Sequence, residues 1–286
     1  MTGTSFGLGL ALGVVAALMM NIGKGIQKHK VWVLTKGRAM LSGEHRGAFL
    51  LWCLGLGVTT GAALPFSLGM KLSGSPSAIS AMTGLGLTGL VFYANRFIGE
   101  KLGPSDVAGI VLVILGTSLL GYLGHGSPAD RSFTDALLIK SLAALFAVAA
   151  LGCVAALFWR RIHGVAFGST AGLGIGAALF IGDAALVKAG GDFGAQLDNP
   201  YPYIAMGFAT LAMVVTQFGF LRGRALEVVP AVNSATILTP IALELLIYGV
   251  RPTPLQLAIT GVILTGVMLL STGAAARVSA TPPAPR

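Results

Sequence analysis

The chain has 286 residues, of which 55% are hydrophobic and only 10% charged, with a formal net charge of +9. A water-soluble domain carries about 25% charged residues, so these proportions exclude a chain that solvates its own surface and point to an integral membrane protein. The positive balance is no nucleic-acid signal, because the basic residues are scattered at the ends of apolar segments, where they anchor helices to lipid headgroups.

A spanning helix needs about 20 mostly apolar residues. Nine segments meet that length, at roughly 5–27, 47–70, 74–97, 105–123, 134–159, 164–188, 200–221, 228–249 and 254–275. The first has no Lys or Arg before Lys24, so it lacks the basic start of a secretory signal and reads as a retained helix. The loop after it, 28–46, sets Lys28, Lys30, Lys36, Arg38 and Arg46 against a single acid, Glu44. A short loop this basic is held on the cytoplasmic side. Later connections are short and marked by Gly103-Pro104, Gly126-Ser127-Pro128, Asn199-Pro200 and Arg251-Pro252, all turn signals. With the first loop inside, fourteen of the nineteen basic residues fall at inner ends and five at outer ends. That balance predicts nine crossings of the cell membrane, with the N-terminus outside and the C-terminus cytoplasmic. The tail is rich in Ala and Pro from Ala274 onward, and 276–286 is expected to be disordered.

Two stretches resemble each other. Ser75-Pro76-Ser77-Ala78-Ile79-Ser80 opens one apolar segment and Val229-Pro230-Ala231-Val232-Asn233-Ser234 opens another, each followed by a turn and a glycine-containing helix. In the nine-crossing arrangement the two run in opposite directions. The expected fold is therefore all-α, a polytopic bundle with inverted repeats over 1–125 and 126–275, a plan that places a solute site between the halves. Glycine is abundant, 41 residues, and runs such as Gly172-Leu173-Gly174-Ile175-Gly176 read first as faces for close helix packing.

A charge inside a membrane costs at least about 2.5 kcal/mol, so the few polar residues within apolar segments are the candidates for function. Asp183 and Glu244 are the two acids deepest in their segments, and either could bind a metal cation or carry a proton. Their simpler roles would be a salt link to Lys188 and a hydrogen bond to Tyr248. Asn21 and Lys24 share a face near the inner end of the first segment, where the lysine could instead snorkel to the interface. Gln217 and Asn233 are candidates for binding a solute or for gluing helices together. Glu100, Lys101 and Asp106 are expected at the interface. Cys53 and Cys153 read as small buried apolar residues. The four histidines are expected in loops, and no nucleophile–base set assembles by spacing, so neither an enzyme nor a cofactor is expected. The expected partners are the lipid bilayer and a small solute or Mg²⁺; a homodimer is left open.

Asn21-Ile22-Gly23-Lys24-Gly25-Ile26-Gln27-Lys28, the stretch Trp52 to Gly57, Gly99-Glu100-Lys101-Leu102 with Asp106 and Gly109, and Gln217 through Ala225-Leu226 to Pro230 together resemble the NIPA family of the drug/metabolite transporter superfamily. The resemblance runs from about residue 5 to 275. It implies an inverted-repeat helical bundle that moves small metabolites, nucleotide sugars or drugs, or, as NIPA proteins are associated with, Mg²⁺. Nine helices fit NIPA-like proteins better than the ten-helix form of the superfamily. One departure stands out. NIPA-like sequences usually carry a glutamate and an asparagine in the second helix, where this chain reads Thr59-Thr60-Gly61-Ala62-Ala63-Leu64-Pro65-Phe66. Mg²⁺ prefers oxygen ligands, so Asp183 and Glu244 would have to supply the missing acid.

Overall fold

In lipid every backbone N–H and C=O must find its partner within the protein, so apolar segments of this length fold as helices. The computed structural model describes residues 3–73, 82–123, 133–159, 162–190, 192 and 194–280, and these are helical with no strand among them. Helix α1 (Gly3–Lys30) passes into a 3₁₀ segment, Val31–Leu41. Helices α2 (Gly43–Gly61) and α3 (Ala63–Ser73) form one rod, interrupted at Ala62. The interruption lies just before Pro65, which has no N–H to return to Gly61. A third rod consists of a 3₁₀ turn (Thr83–Leu85), α4 (Gly86–Tyr93) and a π turn (Ala94–Ile98), ended by Gly99 in the left-handed region at φ 78°. Helices α5 (Pro104–Leu123), α6 (Asp135–Phe158), α7 (His163–Lys188), α8 (Tyr201–Arg222), α9 (Ala225–Tyr248) and α10 (Pro254–Ala280) follow.

Among the described residues, seven helices are long and apolar enough to cross a membrane. The third rod and the apolar part of α10, Pro254–Leu270, are shorter and pack alongside them. Helix α1 packs on α2, α3 and α4; α7 packs in the same way on α8 and α9; α5 and α10 lie against each other. Close contacts give the directions. Gly86 meets Ala17, Gly89 meets Leu18 and Ile22, and Gly25 meets Leu90 and Tyr93, so α1 and α4 run parallel. Gly168 meets Val228, Gly172 meets Val232 and Gly176 meets Thr239, so α7 and α9 also run parallel. The C-terminal end of α1 lies at the start of α9, so the first pair is antiparallel to the second.

Several expectations change. The basic stretch 28–46 is not an open loop: α1 continues to Lys30, and Val31 and Val33 are buried in the 3₁₀ segment. Helix α10 continues to Ala280, into the stretch expected to be disordered; its Ala274-Ala275-Ala276 run is strongly helix-forming. His29, His45 and His163 lie in end turns of helices rather than in loops. Ser75 to Ser80, His125 and the Gly126-Ser127-Pro128 turn lie outside the described residues.

Candidate functional site

Helix α1 carries two polar faces, because residues three and four apart share a side of a helix. Asn21, Lys24 and Lys28 form the first, which faces α9 and, at Lys28, the C-terminal end of α8. Lys24 Nζ donates to Asn233 Oδ1 at 2.9 Å, Asn233 Nδ2 donates to Asn21 Oδ1 at 2.9 Å, and Asn21 Nδ2 closes the chain on Ala17 O at 2.9 Å. Asn21 is 1% exposed and Lys24 7%. Lys24 therefore does not snorkel. It takes part in none of the ion pairs among the described residues. Lys28 Nζ donates to Phe220 O and, at 2.7 Å, to Gly223 O at the end of α8.

The second face, Gly23 and Gln27, meets α2. Gly23 and Gly55 are mutually required there: a Cβ on Gly23 would lie 2.7 Å from Gly55 O, and one on Gly55 would lie 2.9 Å from Gly23 O. The close approach lets Gln27 Nε2 donate to Thr59 Oγ1 at 2.9 Å. Gln217 Nε2 of α8 donates to Gln27 Oε1 at 2.8 Å, and Trp52 Nε1 donates to Gln217 Oε1 at 3.0 Å. Gln217 and Trp52 also form one wall of a cavity of about 420 Å³, whose remaining lining is mostly apolar, from α8 and the 3₁₀ segment. In such a network, removing one partner costs about 1–3 kcal/mol, since it strands a buried donor or acceptor. Gln27→Leu and Gln217→Leu should each destabilise by about that much. A thermal-unfolding double-mutant cycle should show the double variant losing less than the sum, because both members of the pair are then gone.

At the end of the bundle where α1 stops and α9 starts, a charged cluster joins the turn before α5 to the start of α9. Glu100 Oε1 accepts from the Ala225 N–H at 2.7 Å and Glu100 Oε2 from the Leu226 N–H at 3.1 Å, so this carboxylate caps the positive end of α9. Arg224 Nη2 donates to Lys101 O at 2.8 Å, and Nη1 lies 3.5 Å from Asp106 Oδ2 and 3.8 Å from Glu227 Oε1. Asp106 Oδ2 accepts from the Gly103 N–H at 2.9 Å, holding the start of α5 three residues upstream. Asp106 is 0% exposed and Glu227 5%. Glu100, Lys101 and Asp106 do stand at an end of the bundle, but Asp106 is buried and Glu100 half-buried, both against Arg224.

Asn21, Lys24, Asn233 and Gln217 are accordingly built into polar networks between helices, as candidates for either binding or glue. Asp183 and Glu244 lie elsewhere. Glu244 follows Asn233 by eleven residues, about 16 Å along the helix. Asp183 is at a similar depth, since Phe180 and Ile181 pack with Leu243, Ile247 and Tyr248. Asp183 is exposed on α7 and Glu244 half-buried on α9. Lys188, the simple partner expected for Asp183, instead pairs with Asp135 and donates to the Tyr201 hydroxyl at 3.1 Å. Sequence reasoning missed Glu227 and Arg224, which look like helix-end charges and show their role only through contacts with distant residues. Among the described residues no group of three or more His, Cys, Asp or Glu is placed to hold a metal ion. No family model, curated protein or solved structure matches the chain.

Proposed function

We propose that the chain is a membrane transporter of the drug/metabolite transporter type, with nine crossings, and that it moves a small organic solute past the contact between α1 and α9. The observation that carries this reading is the Lys24–Asn233–Asn21 chain: costly polar groups buried within the spans, bridging the two halves of the bundle. The packing supports inverted repeats. The pair α1 and α4 and the pair α7 and α9 are each parallel within the pair and antiparallel between pairs. The turns support them too: Gly99 and Gly249 both end rods at positive φ, and Pro104 and Pro254, each five residues later, both start the next helix. In such folds the solute site lies where the repeats meet. The charged cluster at Arg224 then acts as the closed gate of one access path. The basic residues that gather around it favour the cytoplasmic side for that end.

An organic cargo fits the site better than Mg²⁺. At an effective dielectric of about 20, a divalent ion about 5 Å from Lys24 would be repelled by about 7 kcal/mol. The amides around Lys24 offer the ion only neutral oxygens. A NIPA-like Mg²⁺ path is the second reading, favoured by the similar depth of Asp183 and Glu244 on parallel helices. Flux into liposomes separates the two. The expected result is uptake of members of an organic solute panel and no Mg²⁺ entry above protein-free vesicles. Mg²⁺ entry that Asp183→Asn or Glu244→Gln abolishes would establish the second reading instead.

A further inference from the structure

We propose that the solute is a monocarboxylate whose carboxyl group docks on Lys24 and Asn233. This rests on the transporter reading above and names the chemistry of the same site.

An ammonium has three N–H donors. Lys24 uses one, on the neutral carbonyl of Asn233, and no carboxylate of the described residues forms an ion pair with it. The side chain is more than nine-tenths buried. A buried ammonium with only a neutral acceptor is costly, so an anion that reached it would be held there. Asn233 is placed to respond. It is half-buried and stands between the other two side chains, giving its N–H to Asn21 and its oxygen to Lys24. A carboxylate at Lys24 would replace a neutral acceptor by a charged one, a bond roughly twice as strong. The amide of Asn233, released from Lys24, can then turn its N–H groups to the second carboxylate oxygen.

Charge selects the ligand class. One ammonium matches one negative charge, so a dianionic phosphate or sulfate would leave excess charge within the span. Such anions are best held by a guanidinium fork, and Arg224 is already committed to Lys101 O and the acids around it. A cationic solute would add to the charge of Lys24. The bond that docking replaces is also a tie between α1 and α9, so loading the solute loosens the two halves at that depth.

The test uses the full chain, purified in detergent, and reads thermal unfolding with lactate, pyruvate, benzoate and zwitterionic amino acids. Each is paired with its own carboxamide and with chloride at equal ionic strength. At least one carboxylate should raise the Tm while its amide and chloride do not, and Lys24→Met should weaken that binding at least tenfold. Without ligand, Lys24→Met should still fold as a monodisperse protein, since the hydrogen bond lost at Asn233 is offset by removing a buried charge that forms no ion pair among the described residues; a lysine needed only for structure would instead cost the folded protein. Absence of any carboxylate effect, equal effects of amides or chloride, or a shift that survives in Lys24→Met would each overturn the proposal. Liposome flux keeps its failure distinct from that of the transporter reading. A neutral or cationic solute carried equally well by Lys24→Met would sink carboxylate docking alone. If nothing crosses faster than in protein-free vesicles, transport itself fails.

Discussion

Arg224→Ala is expected to loosen the end of the bundle where the charged cluster ties the Glu100 turn and α5 to the start of α9. The substitution leaves the buried carboxylates of Glu100, Asp106 and Glu227 without the guanidinium they share. Breaking a buried pair from one side costs about 3–5 kcal/mol, a large fraction of a typical total stability of about 5–15 kcal/mol. The strain is relieved by separating α5 and the Glu100 turn from the start of α9. The check is a cysteine at Ala225, a fully buried position whose backbone N–H is capped by Glu100. In a background with Cys53 and Cys153 replaced by Ala, the Ala225→Cys thiol should be inert to a membrane-impermeant reagent. Adding Arg224→Ala should make it reactive, while Arg224→Lys, which keeps the charge and loses the fork, should fall between them. A thiol that stays inert in the Arg224→Ala protein, with the protein still folded, would show that the cluster is not a gate.

The second large effect is expected at Gly172. A Cβ there would sit 2.6 Å from the Ala235 Cβ and closer still to the Val232 carbonyl. The neighbour that must move is the backbone of α9, which carries Asn233. Forcing bulk into a packed contact costs about 1–3 kcal/mol and more where backbone must yield. Gly172→Leu should therefore lose most of its monodisperse protein on size-exclusion chromatography. Gly182 lies ten residues further along α7, and a Cβ added there would meet nothing within 4 Å. Gly182→Leu should accordingly change stability by no more than about 0.5 kcal/mol. Equal yields and melting temperatures for the two variants would show that the small-residue face of α7 does not set its distance from α9.

Much of this architecture is written in the order of residues. Apolar runs long enough to span, separated by Gly, Pro and charge, foretell the rods, because lipid leaves a backbone no other way to satisfy itself. The polar residues that interrupt those runs also announce themselves, since each is expensive there: Asn21, Lys24, Gln217 and Asn233 all proved to be buried or half-buried and hydrogen-bonded between helices. The Gly99 to Pro104 and Gly249 to Pro254 spacing is a repeat signal open to a reading along the chain, and the likeness of Ser75–Ser80 to Val229–Ser234 makes no use of it.

Partnership was beyond the reach of such reading. Lys24 and Asn233 are 209 positions apart, and Glu100 and Ala225 are 125 apart. Nothing local distinguishes Arg224, which holds three acids, from Arg222, which stands over the Phe167 ring. Nor does anything local separate Asp183, exposed on its helix, from Asp106, wholly enclosed. Hydrophobicity is a property of each segment and can be summed along it. The pairing of a buried charge depends on which helices lie side by side and how closely their glycines let them approach, and that is settled only when the whole bundle packs.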